Sequence, residues 1–190
     1  MVLGSAVPIG EDSSHATACP SIMIQVRPYV AADSRAVARL FRELSRTHRE
    51  LYPGLRVAGS RALDGWFHLH MRRYGARSLR VAEEDGRVVG VVGLIAHRGR
   101  GEVEPLVVAK NCRRRGVGLT LIHAVVEEAR RRRWKSLTVG VAPRNRVALR
   151  AFHALGFRAL TSLDLQMRLQ GPVRFPLRPG PQIVGRRFQW

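Results

Sequence analysis

Apolar positions recur along this chain with two different periods. From Ile22 to Pro28 they alternate, Ile22, Ile24 and Val26 against Met23, Gln25 and Arg27, which is the period of a strand. Ala36, Val37, Leu40, Phe41 and Leu44 then fall at helical spacing. Asp33 is a candidate N-cap for that helix, and Tyr52-Pro53-Gly54 is a turn signal that ends it. Leu63 to Tyr74 reads as a second helix, its face mixed between Trp66, Phe67, Leu69 and His70. Leu79–Glu83 and Arg87–Ala96 are strands joined by Glu84-Asp85-Gly86, an Asp-Gly hairpin turn. A second turn, Arg98 to Gly101, leads to a strand ending at Val108.

The pattern becomes helical again from Gly118 to Arg133, with Leu119, Ile122, Val125, Val126 and Ala129 as its stripe. Ser136 to Ala142 is a strand, Asn145 to Leu155 a helix stopped by Gly156, and Leu163, Leu165, Met167 and Leu169 alternate once more. Short connections make the middle strands antiparallel. The helical crossover makes the strands before and after it parallel. Residues 1–21 and 171–190 have no period. This divides the chain into a disordered leader (1–21), one α/β (α+β) domain (22–170) and a basic, proline-rich tail (171–190).

Charge adds a partner to this picture. Lys and Arg number 33 against 14 acidic residues, a net charge of +19. Such a surplus implies a polyanion among the partners: a phosphorylated cofactor, an RNA-associated surface or an acidic one. The two cysteines, Cys19 and Cys112, stand far apart without a Cys/His cluster, so they read as free thiols of a reducing compartment. The longest apolar run, Val88 to Ala96, is too short to span a membrane. The expected location is the cytoplasm, and no membrane partner is expected.

Chemistry concentrates between Glu102 and Leu119. An apolar strand ends in a turn, three arginines follow (Arg113, Arg114, Arg115), and Gly116 and Gly118 open a helix. The free N–H groups of a helix's first turn, with its dipole, attract anions. Glycine lets backbone approach a phosphate, and arginine adds bidentate charge. The sequence has neither GxxxxGK[ST] nor GxGxxG, which excludes those nucleotide motifs.

Three features in this order resemble the GNAT superfamily of acyl-CoA N-acyltransferases over Ile22 to Leu169: the strand E-P-L-V-V (104–108), the loop R-x-x-G-x-G from Arg113, and N-x-x-A-L-x-x-F-x-x-L-G-F from Asn145. The resemblance implies a mixed, mostly antiparallel sheet with a splayed parallel strand pair at its centre and helices on both faces. Acetyl-CoA is then the co-substrate. Its pantetheine arm would lie along backbone groups of Leu106, Val107 and Val108, and its pyrophosphate on Arg113, Arg114, Arg115, Gly116, Val117, Gly118 and Leu119. Pro105 suits a place where strands part, or a bulge. Asn145 is implied as a polar contact to the cofactor, with N-capping of its own helix the alternative.

The implied reaction is acetyl transfer to a primary amine by direct attack through a tetrahedral intermediate. Glu104 matches the position of a general base and Glu102 shares its strand face; either is otherwise a solvated strand residue, with the base elsewhere or deprotonation assisted by the substrate. Phe152 departs from the family pattern, where a tyrosine commonly protonates the leaving thiolate. His153 points elsewhere on its helix, and His123 reads as a surface or packing residue. Two other readings remain: an acyl-CoA-binding sensor without chemistry, favoured by Phe152, and a basic RNA- or ribosome-associated protein, favoured by the charge. The acceptor amine and self-association as a homodimer are open.

Overall fold

The computed structural model describes residues 23–52, 62–162, 179–183 and 185–189. The leader expected at 1–21 and the strand expected at Leu163–Leu169 lie outside them. Five strands form one sheet in sequence order: β1 (Gln25–Pro28), β2 (Leu79–Glu84), β3 (Arg87–His97), β4 (Arg100–Val108) and β5 (Leu137–Val139). The first four are antiparallel neighbours, and β4 and β5 are parallel. Among the described residues four α-helices pack on this sheet: α1 (Ser34–Leu51), α2 (Ala62–Tyr74), α3 (Val117–Arg131) and α4 (Arg146–Ala154).

The alternation of strand residues feeds two cores. On one face α3 lays Val117, Leu121, Ile122 and Val125 on Ala82, Val92, Leu94 and Val103, with Phe152 of α4 at the margin. On the other, Val37, Leu40 and Phe41 of α1 and Phe67 of α2 cover Leu79, Val81, Val91 and Val107. Each such side chain contributes about 1.5–3 kcal/mol by burial, so the helices are held by these stripes. The stripe of α3 begins at Val117, which turns Leu119 out of the core; it is 46% exposed.

Asp33 occupies the N-cap position of α1 but makes no capping bond. Its carboxylate instead accepts from the Val30 N–H and pairs with Arg27, which also reaches Glu83. That cluster ties β1, α1 and β2 together. The guanidinium of Arg27 holds the Asp33 carboxyl below the ordinary carboxylate value.

The strand expected at Ser136–Ala142 is reduced to Leu137–Val139. Its partner explains why. Between Val103 and Leu106, β4 carries one residue more than β3 does between Leu94 and Val92, a bulge at Glu104 and Pro105. Pairing with β5 stops at Val103 and Val139. Gly93 makes the bulge possible, since a Cβ there would overlap the Glu104 carbonyl oxygen. The Glu104–Pro105 peptide is cis.

The tail, which shows no period in the sequence, contains a hairpin. β6 (Pro179–Ile183) and β7 (Arg186–Gln189) pair antiparallel as a separate two-stranded sheet. Its turn uses Gly185 at φ 73°, a short-range signal that the prolines around it obscure.

Candidate active site

Where β4 and β5 part, the sheet opens into a cavity of about 350 Å³. One wall is β4 from Glu102 to Leu106, and the opposite wall is Val139 to Ala142 with Asn145, Ala148 and Phe152. From the other side α1 and α2 bring Phe41, Leu44, His48, Trp66, His70, Arg73 and Tyr74. Tyr52 anchors this arrangement without lining it. Its hydroxyl accepts from the Arg144 N–H at 3.1 Å, and the Arg144 guanidinium lies over its ring, 5.0 Å from the centroid. Arg144 also donates to the Leu51 carbonyl, so the end of α1 is fastened to the loop before α4.

The outer edge of β4 follows from the ladder. Ala109 N–H donates to Val89 C=O at 2.9 Å. Alternation then points Val107 inward, toward β3, and directs the N–H and C=O groups of Leu106 and Val108 outward. Of the three backbones expected to meet the pantetheine arm, two are presented and Val107 serves the sheet. Gly118, whose Cβ would stand 3.7 Å from Val108 Cγ2, brings the start of α3 to the end of this edge.

The loop between β4 and α3 is built by Cys112, buried beneath it, and by Gly116, the left-handed N-cap of α3 at φ 83°. Gly116 has no side chain to cap the first-turn N–H groups of Val117, Gly118 and Leu119. The three arginines differ. Arg113 donates from Nε to Val108 C=O and lies 4.0 Å from Glu43, and Arg115 pairs with Glu84 at 2.7 Å. Arg114, exposed and at φ 61°, has no ion pair among the described residues. An open strand edge, bare helix N–H groups and an unpaired arginine suit an amide-bearing chain that ends in phosphates.

Glu102 and Glu104 both line the cavity. Glu104 is exposed at the cavity it lines, with protein crowding part of its carboxylate. This crowding, with the Glu102 charge, raises its pKa above the ordinary carboxylate value, while Arg73 pulls it down. Glu102 is bonded to His97 at 2.9 Å. Asn145 lines the cavity and also accepts from the Ala148 N–H at 3.0 Å, so its N-capping role is realised. Phe152 is nearly buried at the cavity wall, edge to face with Phe157. His153 and His123 are exposed on their helices, outside the cavity. Sequence reasoning did not find the wall from α2. Trp66, His70 and Tyr74 stand at i, i+4 and i+8, a spacing that could have marked them as one face.

Residues 37–157 match the model of the acetyltransferase (GNAT) family. No curated protein matches by sequence. Among solved structures, the PaiA N-acetyltransferase of Thermoplasma acidophilum, in complex with coenzyme A, is similar with TM-score 0.62 and 14% identity, over 74% of this chain and 93% of that one. A GNAT-family acetyltransferase of Staphylococcus aureus Mu50 gives 0.60 and 18%, over 78% and 95%. The ribosomal-protein-alanine N-acetyltransferase of Brucella melitensis gives 0.55 and 24%, over 70% and 84%. These structural likenesses carry the fold, and the family match, covering well over half of the sequence, carries membership: the chain belongs to the acetyltransferase (GNAT) family.

Proposed function

We propose that the chain moves an acetyl group from acetyl-CoA to the nitrogen of a primary amine inside the gap between β4 and β5. One observation carries the reading: the edge of β4, which no strand among the described residues pairs beyond Val103, runs from the carboxylate of Glu104 to the bare first turn of α3. Acetyl-CoA supplies the acetyl group as a thioester. Leu106 and Val108 offer backbone partners to its amide-bearing arm. Arg114 and the first-turn N–H groups of α3 receive its phosphates, with Arg113 and Arg115 beside them and Asn145 as a polar contact to the cofactor from the cavity wall.

An amine is protonated near neutral pH and cannot attack until it loses a proton. Glu104 takes it, directly or through a water. Its raised pKa makes it a stronger base than an ordinary carboxylate, and Glu102 beside it adds negative charge that draws an ammonium in. Phe152 has no proton to give, so the thiolate departs unassisted from that position.

The test is Glu104→Gln. Glu104 accepts protons only when ionised, and its raised pKa moves the acid limb of the rate upward. The wild-type rate therefore falls as pH drops through that pKa. The variant loses about 10²-fold in kcat at pH 7 and recovers toward wild type at pH 9, where free amine is abundant. An equal loss at every pH would make Glu104 structural.

The surplus of charge supports a phosphate-bearing partner that brings the acceptor. Arg98, Arg100, Arg133 and Lys135 are exposed and without ion pairs among the described residues. The Lys135 N–H donates to Gly99 C=O, so the β3–β4 turn and the loop after α3 present these charges together. RNA fits such a surface. No helix among the described residues is long and apolar enough to cross a membrane. The free, buried thiol of Cys112 supports a reducing, cytoplasmic setting.

A further inference from the structure

We propose that His70 is a proton acceptor of this reaction: imidazole Nδ1 takes a proton from the acceptor nitrogen in the cavity. The inference rests on the acetyl-transfer reading above. His70 is 6% exposed and is one of the residues that line the cavity. Phe41 and Tyr74 pack against it, with ring centroids at 6.0 and 5.1 Å. A Cβ on Gly93 would stand 3.1 Å from His70 Cε1 and overlap the Glu104 carbonyl. The imidazole and the bulge that carries Glu104 therefore share the space that Gly93 leaves open.

The tautomer follows from the neighbours. Ser78 Oγ donates its single proton to the Gly75 carbonyl at 2.6 Å. The 2.9 Å bond between His70 Nε2 and Ser78 Oγ must then be donated by Nε2–H. Nδ1 keeps its lone pair and has no hydrogen-bond partner among the described residues. Burial disfavours the imidazolium and pulls the pKa below the ordinary histidine value, so the ring is neutral and able to accept at pH 7.

The reaction has a use for a second acceptor. A primary amine enters as an ammonium with three protons on nitrogen and leaves as an amide with one. The C–N bond forms and the C–S bond breaks. Of the two protons lost, one ends on the thiol of CoA and the other in solvent. Glu104 takes one and His70 takes the other, so neither group must be emptied between the two transfers. The charged and titratable groups that line the cavity with His70 are His48 of α1, Arg73 and Tyr74 of its own helix, and Glu102 and Glu104 of β4.

The bland role for His70 is to pin α2 to the turn at Ser78, and the experiment separates the two. Nitrogen NMR of the wild type should show Nε2–H with Nδ1 unprotonated at pH 7; protonated Nδ1 would overturn the proposal. Wild type is assayed against an amine panel beside His70→Ala and His70→Gln, which keeps an N–H for Ser78 but has no basic lone pair. Both variants should bind acetyl-CoA as wild type does and lose about 10²-fold in kcat. Added imidazole should restore His70→Ala several-fold, in proportion to neutral imidazole and not imidazolium. Near-wild-type kcat in His70→Gln, or absence of rescue in folded His70→Ala, would overturn the role of His70 alone. A wild type inert with every amine would overturn the acetyl-transfer reading, and this proposal with it.

Discussion

Phe152 is the residue at which this chain departs from its family's pattern, and its surroundings show what the departure costs. The ring closes the cavity wall and meets Phe157 edge to face at 5.5 Å. It offers no acid. A thiol has a reference pKa of about 8.5, so a thiolate released at pH 7 lacks only ~2 kcal/mol of driving force from protonation, at about 1.4 kcal/mol per pKa unit. Phe152→Tyr should therefore raise kcat by roughly tenfold or less and leave acetyl-CoA affinity unchanged. Steady-state kinetics of both proteins on one amine check this; an inert wild type beside an active variant would favour the sensor reading. At this scale the sequence was informative where a motif fixed spacing. Glu104, Asn145 and Phe152, which the motifs shared with the family singled out, all line one cavity. His70 was not singled out, because its role depends on the proton of Ser78 and the absence of a side chain at Gly93, neither of which a periodic pattern records.

Among the elements, the start of α3 makes the sharpest test. Gly116 needs its left-handed φ of 83°. Gly118 has no such need. A Cβ there would meet only Val108 Cγ2 at an ordinary 3.7 Å, and the residue lies within the helix. Nothing in the fold requires glycine at that position, so close approach by a ligand is what a side chain would obstruct. Gly118→Ala should keep or raise stability, by up to about 1 kcal/mol from helix propensity, while weakening acetyl-CoA binding at least tenfold. Thermal melts and calorimetric titration of the same sample measure both. Unchanged affinity would show that the first turn of α3 does not receive the phosphates. The helices and hairpins of the domain were legible because their stripes and turns are local. The length of β5 was not. It is set by a bulge in another strand, and Pro105 alone did not distinguish bulge from splay; the structure has both. The hairpin at 179–189 is local, but the prolines in and around β6 break the alternation that would have marked it.

For the whole molecule, the two apolar faces and the +19 charge pull in different directions. The cores place α1 and α2 over one side of the sheet and α3 and α4 over the other. The gap between β4 and β5 is thereby reached from both. The cavity itself has an acidic lining at Glu102 and Glu104 within a strongly basic protein. An ammonium is attracted locally and a polyanion globally, which is why charge alone pointed to a partner and not to a reaction. The measurement that tests the account most directly is mass spectrometry of wild-type protein incubated with acetyl-CoA and primary amines. The account predicts one acetyl group on the amine nitrogen for each CoA thiol released, with release dependent on the amine. Acetyl-CoA bound but never consumed with any amine would contradict it.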